Sequence, residues 1–314
     1  MPLRIGVLGT GHFGRFHALK LAARGLLAGL YDADPARAVQ IAAETGAPAL
    51  TSDALLAACD AVVIAVPTAH HHALAMQAIA AGRHLFVEKP LAATLEQGRE
   101  LVAAARATGR VLQVGHIERY SAAIRMLRRS GAGAGAGAMS FEAMRVAPFR
   151  PRSLDVSVVL DLMIHDLDLV LSLAASPLAE VQATGARIMS DHPDFAVAHL
   201  RFESGARATI TASRVSVGME RRLRILGREG ETRIDFLARS LERIHPGGAE
   251  PVATMPGWGI TRATWTEHDS LEAEQAAFLA SIETGAPVEA GGEAGLAALD
   301  AALRVEAAIG CRPA

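Results

Sequence analysis

The stretch Leu3-Arg-Ile-Gly-Val-Leu-Gly-Thr-Gly-His-Phe-Gly14 decides the fold of this chain. An apolar run ends in a glycine turn, and apolar residues then recur at helical spacing, which predicts a strand, a turn and a helix. Gly9 permits the tight turn, Gly11 lets the backbone approach a pyrophosphate, and Gly14 allows close packing of helix on strand. The helix N-terminus offers N–H groups to phosphates. The predicted dinucleotide-binding loop comprises Gly9, Gly11, His12, Phe13 and Gly14.

An acidic residue ends the second predicted strand. This strand covers residues 26–31 and Asp32 follows it, close to the spacing of about 20 residues that dinucleotide-binding units show. A carboxylate there accepts hydrogen bonds from ribose hydroxyls and repels a 2′-phosphate. Ala33 and Asp34 come next, so we predict NAD rather than NADP as cofactor, although Arg37 on the following helix could reach back.

Strands and helices keep alternating up to about residue 118. Further strands are predicted at 61–66, 84–87 and 111–114, and helices at 36–45, 54–58, 71–81 and 95–108. This alternation predicts a doubly wound parallel α/β sheet of the Rossmann type, which binds ligands at the carboxyl ends of its strands. We therefore assign residues 1–118 to a dinucleotide-binding domain. The residues at the carboxyl ends that are expected to contact cofactor or substrate are Pro67, Thr68, His71, Glu88, Lys89 and His116.

Lys89 is the most informative residue of this half. It follows a predicted strand and precedes Pro90, which fixes the backbone. In a cleft beside a nicotinamide ring, a lysine ammonium can donate a proton or hold a substrate oxygen. The alternative is a surface lysine that does no more than pair with Glu88.

Asp161-Leu-Met-Ile-His165 lies in a long apolar window, residues 156–173. On a regular helix Asp161, His165 and Asp168 share one face. Burying three ionisable groups costs several kcal/mol unless they are paired or reach a cleft. The residues alone therefore leave two interpretations open: a core histidine satisfied by aspartates, or a proton-transfer pair that lines a site.

The rest of the second half, residues 119–314, predicts an α+β substrate domain with a large, open and mainly antiparallel sheet. A Gly/Ala run over residues 130–138 is expected to be a loop. Two helices, 270–284 and 292–309, should cover one face of this sheet, so the other face needs a partner and a homo-oligomer is expected. The predicted strands are 139–146, 181–188, 195–202, 206–215, 221–226, 231–236 and 241–244.

Composition narrows the function classes. The 314 residues are 51% hydrophobic and 20% charged with a net charge of −2, so no overall charge drives binding to nucleic acid or to anionic membranes. The only cysteines, Cys59 and Cys311, imply no disulfide framework. No signal peptide is recognised, so we expect a cytoplasmic protein. The consecutive histidines 70–72 do not converge on one ion from a helix start, and no metal site is predicted.

Four motifs taken together resemble the Gfo/Idh/MocA family of NAD(P)-dependent oxidoreductases. They are Gly9-x-Gly-x-x-Gly14, Pro67-Thr-x-x-His71, Glu88-Lys89-Pro90 and Asp161-x-x-x-His165. The resemblance covers nearly the whole chain. It implies a Rossmann domain followed by a domain with an open antiparallel sheet that often serves in oligomerisation. It also implies that Lys89, Asp161 and His165 are catalytic.

A narrower resemblance joins this chain to the family members that oxidise the 3-hydroxyl of UDP-N-acetylglucosamine. It rests on residues 114–120, 145–151, 155–168 and 235–241. Arginine suits bidentate contact with a diphosphate, and at least one of Arg145, Arg150, Arg152, Arg221 and Arg222 is expected to make it. Two alternatives stay open: a dehydrogenase of a free sugar or inositol, and a non-catalytic dinucleotide-binding regulatory protein. The predicted substrate-binding residues are Lys89, His116, Arg119, Tyr120, Arg150, Asp161, His165 and Arg221.

Overall fold

A computed structural model describes residues 3–129, 137–151, 154, 156–266 and 268–310. Most of the Gly/Ala run, Arg152, Asp155 and Cys311 lie outside the described residues. The chain divides into two compact units, one comprising Met1–Ile117 with Asp269–Leu299 and the other Glu118–His268 with Asp300–Ala314. Within the described ranges, no helix is long and apolar enough to cross a membrane.

The first unit contains a five-stranded parallel sheet in the order β2-β1-β3-β4-β5. This is the doubly wound Rossmann arrangement that the alternating pattern predicts. Its strands are β1 (Ile5–Leu8), β2 (Leu27–Tyr31), β3 (Ala61–Ile64), β4 (His84–Val87) and β5 (Leu112–Val114). Its first helices are α1 (His12–Ala23), α2 (Pro35–Thr45), α3 (Ser52–Ala58), α4 (His71–Ala80) and α5 (Leu95–Ala107).

One later helix belongs to this first unit, contrary to the sequence prediction. The helix over Ser270–Thr284 was expected to cover the second sheet, but its Phe278 and Leu279 lie in the hydrophobic core with Ile5 and Phe86. The rings of Phe86 and Phe278 pack edge to face with centroids 5.8 Å apart. The division therefore differs from a single boundary after residue 118. An apolar helix face shows that a helix is buried, but it does not identify the sheet that buries it.

The second unit is built on a nine-stranded sheet in the order β13-β14-β12-β11-β10-β6-β9-β8-β7. The β6–β9 pair is parallel and the others are antiparallel, which confirms the predicted mainly antiparallel sheet. The last two strands were not predicted. The strands are β6 (Ala138–Val146), β7 (Leu178–Ala186), β8 (Phe195–Phe202), β9 (Arg207–Ser213), β10 (Glu220–Gly227), β11 (Gly230–Asp235), β12 (Ser240–Pro246), β13 (Glu250–Pro251) and β14 (Trp258–Thr264).

Helices complete the two units. The second unit contains α6 (Ala122–Arg129) and α7 (Ile164–Ala174), and α7 packs against β6 and β9. The helix α8 (Ser270–Thr284) lies in the first unit, and α9 (Gly292–Ile309) begins in the first unit and ends in the second. Alternate residues of β6 point into the covered side of the sheet, including the fully buried Phe141.

Candidate active site

The three glycines of the first loop are required for different reasons. Gly9 has a φ of 89°, and a Cβ placed on it would lie 2.7 Å from the Ala65 carbonyl oxygen. A Cβ on Gly14 would lie 1.8 Å from the Gly9 oxygen, so helix α1 can approach the loop only at glycine. A Cβ on Gly11 meets no atom within 4 Å. Packing therefore demands Gly9 and Gly14, whereas the space beside Gly11 is open to a ligand.

Two predicted loop residues, His12 and Phe13, occupy the first turn of α1. Both are exposed, and their rings meet edge to face with centroids 5.5 Å apart. No side chain caps the N-terminus of α1. The first N–H groups of the helix therefore have no side-chain cap, and such groups are the ones that bind anions in glycine-rich loops.

Asp32 is held by the glycine loop itself. Its Oδ2 accepts hydrogen bonds from the backbone N–H of Thr10 at 2.7 Å and from the Thr10 hydroxyl at 2.9 Å, and its Oδ1 accepts one from the N–H of Asp34 at 2.9 Å. Burial alone would raise the pKa of Asp32, but these hydrogen bonds outweigh it and the pKa is lowered. Arg37 does reach back, with Nη1 3.5 Å from Oδ1. Asp32 is therefore an oriented carboxylate beside the loop.

His71 links the ends of two strands. Pro67 precedes a 3-10 turn over Thr68–His70, and His71 begins α4. Its Nδ1 lies 2.9 Å from the Pro90 carbonyl oxygen and its Nε2 lies 2.9 Å from that of Val66. The side chain is buried, and this burial lowers its pKa. These contacts give His71 a structural function in joining the chain after β3 to the chain after β4.

Glu88, Lys89 and Pro90 form the turn at the carboxyl end of β4, where Lys89 is half-buried and the Lys89–Pro90 peptide bond is cis. Glu88 Oε1 lies 2.9 Å from Nε2 of His17, and Oε2 accepts from the Lys89 N–H at 3.2 Å. A Cβ on Gly115 would lie 2.7 Å from Glu88 Oε2. His17 was missed in the sequence, where it occupies an apolar face of α1 three residues after Gly14.

His116 follows β5 at the same edge of the sheet. It is buried, and its backbone N–H donates to the Val114 carbonyl at 2.7 Å. Because parallel strands end at one edge, the first unit collects the glycine loop, Asp32, the Glu88–Pro90 turn and His116 there.

The helical segment of the second unit is not a regular α-helix. Residues Val159–Met163 form a π-helical turn, in which the Ile164 N–H donates to the Val159 carbonyl. The sequence prediction assumed 3.6 residues per turn throughout, and the wider turn changes which residues share a face. Such π-helical turns occur frequently at functional sites. Asp161 lies in this turn and His165 follows it on α7.

Four ionisable residues of this segment divide into two pairs. Asp161 and His165 are half-buried on the side that keeps contact with solvent. Asp166 and Asp168 are buried, with 3% and 1% exposure. Asp168 therefore differs from Asp161 and His165 in burial, although His165 and Asp168 are three residues apart on the same regular helix.

Buried arginines neutralise the second pair. Arg119 donates from Nε and Nη2 to the two oxygens of Asp168 at 2.7 and 2.6 Å. Arg145 donates from Nε and Nη2 to Asp166 at 2.8 and 3.0 Å, and from Nη1 to Glu118 at 2.8 Å. Burial alone would lower the pKa of Arg145, but the two carboxylates raise it. Arg145, one of the phosphate ligands considered from the sequence, is therefore placed as a buried structural cation between two carboxylates.

The remaining predicted substrate residues lie in the second unit. Tyr120 is buried, and its carbonyl oxygen lies 3.0 Å from Nε2 of His268. Arg221 is half-buried on β10 and pairs in register with Arg145 on β6. Arg150 is exposed in the segment that follows β6.

Comparisons with known proteins agree with this arrangement. Residues 3–116 match the family model described as oxidoreductase family, NAD-binding Rossmann fold, and residues 139–233 match the GFO/IDH/MocA C-terminal domain. The chain is 42% identical to UDP-N-acetylglucosamine 3-dehydrogenase of Acidithiobacillus ferrooxidans, over 98% of this chain and 97% of the relative. A solved structure of that enzyme has a TM-score of 0.93 at 98% coverage of both chains.

A more distant relative is the inositol 2-dehydrogenase of Rhizobium meliloti, which is 29% identical over 97% of each chain. Both family models, the full-length similarity and the Rossmann sheet agree. The chain therefore belongs to the Gfo/Idh/MocA family of oxidoreductases and contains its NAD-binding Rossmann fold.

Proposed function

We propose that this protein oxidises a sugar hydroxyl to a ketone with NAD, and that the substrate is UDP-N-acetylglucosamine, oxidised at its 3-hydroxyl, or a related UDP-sugar. The observation that carries this proposal is the 42% identity over 98% of the chain to an enzyme named for that reaction. The inositol 2-dehydrogenase, at 29% identity, supports the free-polyol alternative less strongly. Lys89, Asp161 and His165 favour an enzyme over a regulatory dinucleotide-binding protein.

The second unit provides the base. His165, oriented by Asp161, accepts the hydroxyl proton while the C–H bond of the same carbon is broken. Both side chains keep contact with solvent on a segment whose other charges are buried and paired. Lys89 polarises the oxygen that is being oxidised. NAD⁺, when bound, supplies the acceptor for the hydride.

The dinucleotide suits the first unit. The space beside Gly11 is open, the N-terminus of α1 has no side-chain cap, and Asp32 is an oriented carboxylate. We propose that Asp32 binds the ribose hydroxyls and makes NAD the preferred cofactor. Arg37 lies 3.5 Å from Asp32 and neutralises part of its charge, which weakens the repulsion of a 2′-phosphate. The preference for NAD over NADP therefore needs a direct binding measurement. NADH should bind at least about tenfold more tightly than NADPH in a fluorescence titration, and equal affinities would refute the preference.

Substrate contacts are proposed for residues around both catalytic groups. Arg150 and Arg221 are the candidates for the diphosphate, because Arg145 is engaged with Asp166 and Glu118. Arg119 contributes by pairing with Asp168 on the same helix as His165. Substitution of Arg150 or of Arg221 by alanine should raise the KM for the UDP-sugar, and an unchanged KM in both variants would remove the diphosphate assignment. The other proposed contacts are Lys89, His116, Tyr120, Asp161 and His165.

Turnover of defined substrates tests the function. The purified protein should reduce NAD⁺ in the presence of UDP-N-acetylglucosamine and not with N-acetylglucosamine or myo-inositol. Alanine at Lys89 or at His165 should lower kcat by about 10² or more, with little change in the Kd for NADH. Activity on free inositol alone would favour the second candidate, and wild-type turnover in both alanine variants would refute the catalytic assignment.

We also propose a homo-oligomer formed through the outer face of the nine-stranded sheet. A row of charged side chains crosses the four strands β6, β10, β11 and β12, with Glu142 beside Arg224, Arg224 beside Arg233 and Arg233 beside Glu242. A second copy related by twofold symmetry could match its acidic positions to these basic ones. Light scattering should show at least a dimer, and the Arg224→Glu variant should dissociate it; a monomeric wild type would refute this part.

A further inference from the structure

A chain of three polar side chains, two of them buried and one half-buried, lies at the Glu88–Pro90 turn, entirely within the first unit. Gln275 of α8 contacts His17 of α1, and His17 contacts Glu88. His17 and Gln275 are 0% and 2% exposed. No step of the proposed reaction uses these two residues, yet burying polar groups costs free energy unless their hydrogen bonds are made.

The hydrogen-bond pattern assigns the proton of His17. Nε2 of Gln275 lies 3.1 Å from Nδ1 of His17 and 3.3 Å from its carbonyl oxygen. A carbonyl oxygen only accepts, so the Gln275 atom beside it is the amide donor, and Nδ1 therefore accepts as well. The ring proton is then on Nε2, which donates to Glu88 Oε1 at 2.9 Å. These contacts fix the orientation of the His17 ring.

Glu88 is consequently an oriented anion. Burial raises the pKa of its carboxyl, but the hydrogen bond and electrostatic attraction of His17, followed by the charge of Lys89, outweigh this and the pKa is lowered. Its second oxygen accepts from the backbone N–H of Lys89 at 3.2 Å. Gly115 leaves the space that this oxygen needs, since a Cβ there would lie 2.7 Å away. Replacing either contact would move the carboxylate.

We propose that Glu88, fixed by His17 and Gln275, is a positioning residue that orients the Lys89 turn and keeps the Lys89 ammonium charged. A carboxylate next to an ammonium favours its charged form. Lys89 then acts as a fixed cation on the substrate oxygen, and His165 is the residue that accepts the proton. This inference rests on the proposed function, in which Lys89 polarises the substrate oxygen and His165 accepts the proton.

Three variants separate charge from shape. Glu88→Gln keeps the size of the side chain and removes its charge, Glu88→Asp keeps the charge and shortens the side chain, and Gln275→Met removes the amide that fixes His17. Glu100→Gln is the matched control, because exposed Glu100 also pairs with a histidine, His72 at 2.8 Å, in the same unit. Kinetics are measured from pH 6 to 10 together with the melting temperature and the Kd for NADH.

Glu88→Gln should lower kcat by about tenfold and move the alkaline limb of the kcat profile to lower pH by about one unit, because Lys89 loses its neighbouring anion. Glu88→Asp should lower kcat, but the alkaline limb of its kcat profile should stay at the same pH as in the wild type. Gln275→Met should lower kcat by about threefold, and Glu100→Gln should match the wild type.

Superimposable pH profiles for wild type and Glu88→Gln would overturn the inference, provided that Lys89→Ala is inactive. Retained turnover in Lys89→Ala would instead refute the proposed function itself. Should Glu88→Gln fail to fold, the same decision rests on Glu88→Asp and Gln275→Met: kcat values equal to wild type in both would overturn the inference.

Discussion

The glycine loop of the first unit contains three glycines, and the helical segment 156–174 of the second contains four ionisable residues. In both regions some of these residues are needed for packing and others are not. Packing requires Gly9 and Gly14, whereas Gly11 borders open space. Buried arginines bind Asp166 and Asp168, whereas Asp161 and His165 keep contact with solvent. In each region some residues maintain the fold and their neighbours are left for a ligand. Substitutions of the two kinds should therefore change different measurements.

The largest loss of stability is expected for Arg145→Ala. This change leaves Asp166 and Glu118 without their cation, and removing one partner of a buried ion pair costs about 3–5 kcal/mol. Denaturant unfolding should show this loss in free energy. The double variant Arg145→Met with Asp166→Leu should recover part of it, because no buried charge is then unpaired at that position. An Arg145→Ala protein as stable as the wild type would contradict the division of the helix into two pairs.

The same chemical change at two aspartates tests the division most directly. Asp168→Asn removes the charge that binds both donors of Arg119 inside the core, so we expect a loss of about 3 kcal/mol in unfolding free energy. Asp161→Asn, seven positions earlier, should change stability by less than about 0.5 kcal/mol and lower kcat instead. Thermal unfolding and turnover are measured on both. Equal destabilisation in the two variants would show that Asp161 is also a core residue.

Sequence patterns identified the elements better than the contacts between them. The alternation of apolar runs predicted the parallel sheet, and the strand predicted at 195–202 has the same bounds in the structure. The spacing of apolar residues along the chain differs between strands and helices, and it therefore locates these elements. It does not state which sheet an amphipathic helix covers, so α8 was assigned to the wrong sheet.

The candidate site was predictable as far as residue types and spacing carry information. The glycine loop, Asp32, Lys89 and His165 stand in recognisable motifs. The π-helical turn at Val159–Met163 has no simple sequence signature, and it changes the angle between Asp161 and the residues of α7 from that of a regular helix.

Contacts between residues that are distant in the sequence could not be predicted for another reason. The contact of His17 with Glu88 spans 71 positions and that of Arg119 with Asp168 spans 49. Only the fold brings such partners together, so the partner of a buried histidine or arginine cannot be identified from the sequence.

The glycine loop offers a smaller, matched test. Gly14→Ala places a Cβ 1.8 Å from the Gly9 oxygen, so the helix must shift and we expect a loss of about 2 kcal/mol or more. Gly11→Ala meets no protein atom within 4 Å and should keep the wild-type melting temperature. Its Kd for NADH should nevertheless rise, because the methyl group occupies the space proposed for the pyrophosphate. Unchanged NADH affinity in a folded Gly11→Ala protein would show that the dinucleotide does not pass this glycine.

The smallest effect concerns a third buried pair, Asp194 with Arg214, which anchors the start of the helical segment. Arg214 donates from Nε to Asp194 at 2.7 Å and from Nη1 to the Val156 carbonyl at 2.9 Å. Burial opposes ionisation of Asp194, but backbone donors from Met189 and Ile188 with Arg214 outweigh it and lower its pKa well below the usual range.

A lowered pKa stabilises the folded state at pH values above the pKa of the unfolded aspartate, and this stabilisation is lost as the pH falls toward the folded value. Between pH 5 and pH 3 the wild type should therefore lose about 1 kcal/mol through Asp194 that the Asp194→Asn variant, with nothing to titrate there, does not lose. Urea unfolding of both proteins at several pH values measures how the difference in unfolding free energy between them decreases as the pH falls. A stability difference that stays constant from pH 5 to pH 3 would mean that Asp194 titrates normally, and the anchor of the helical segment would then not depend on its charge.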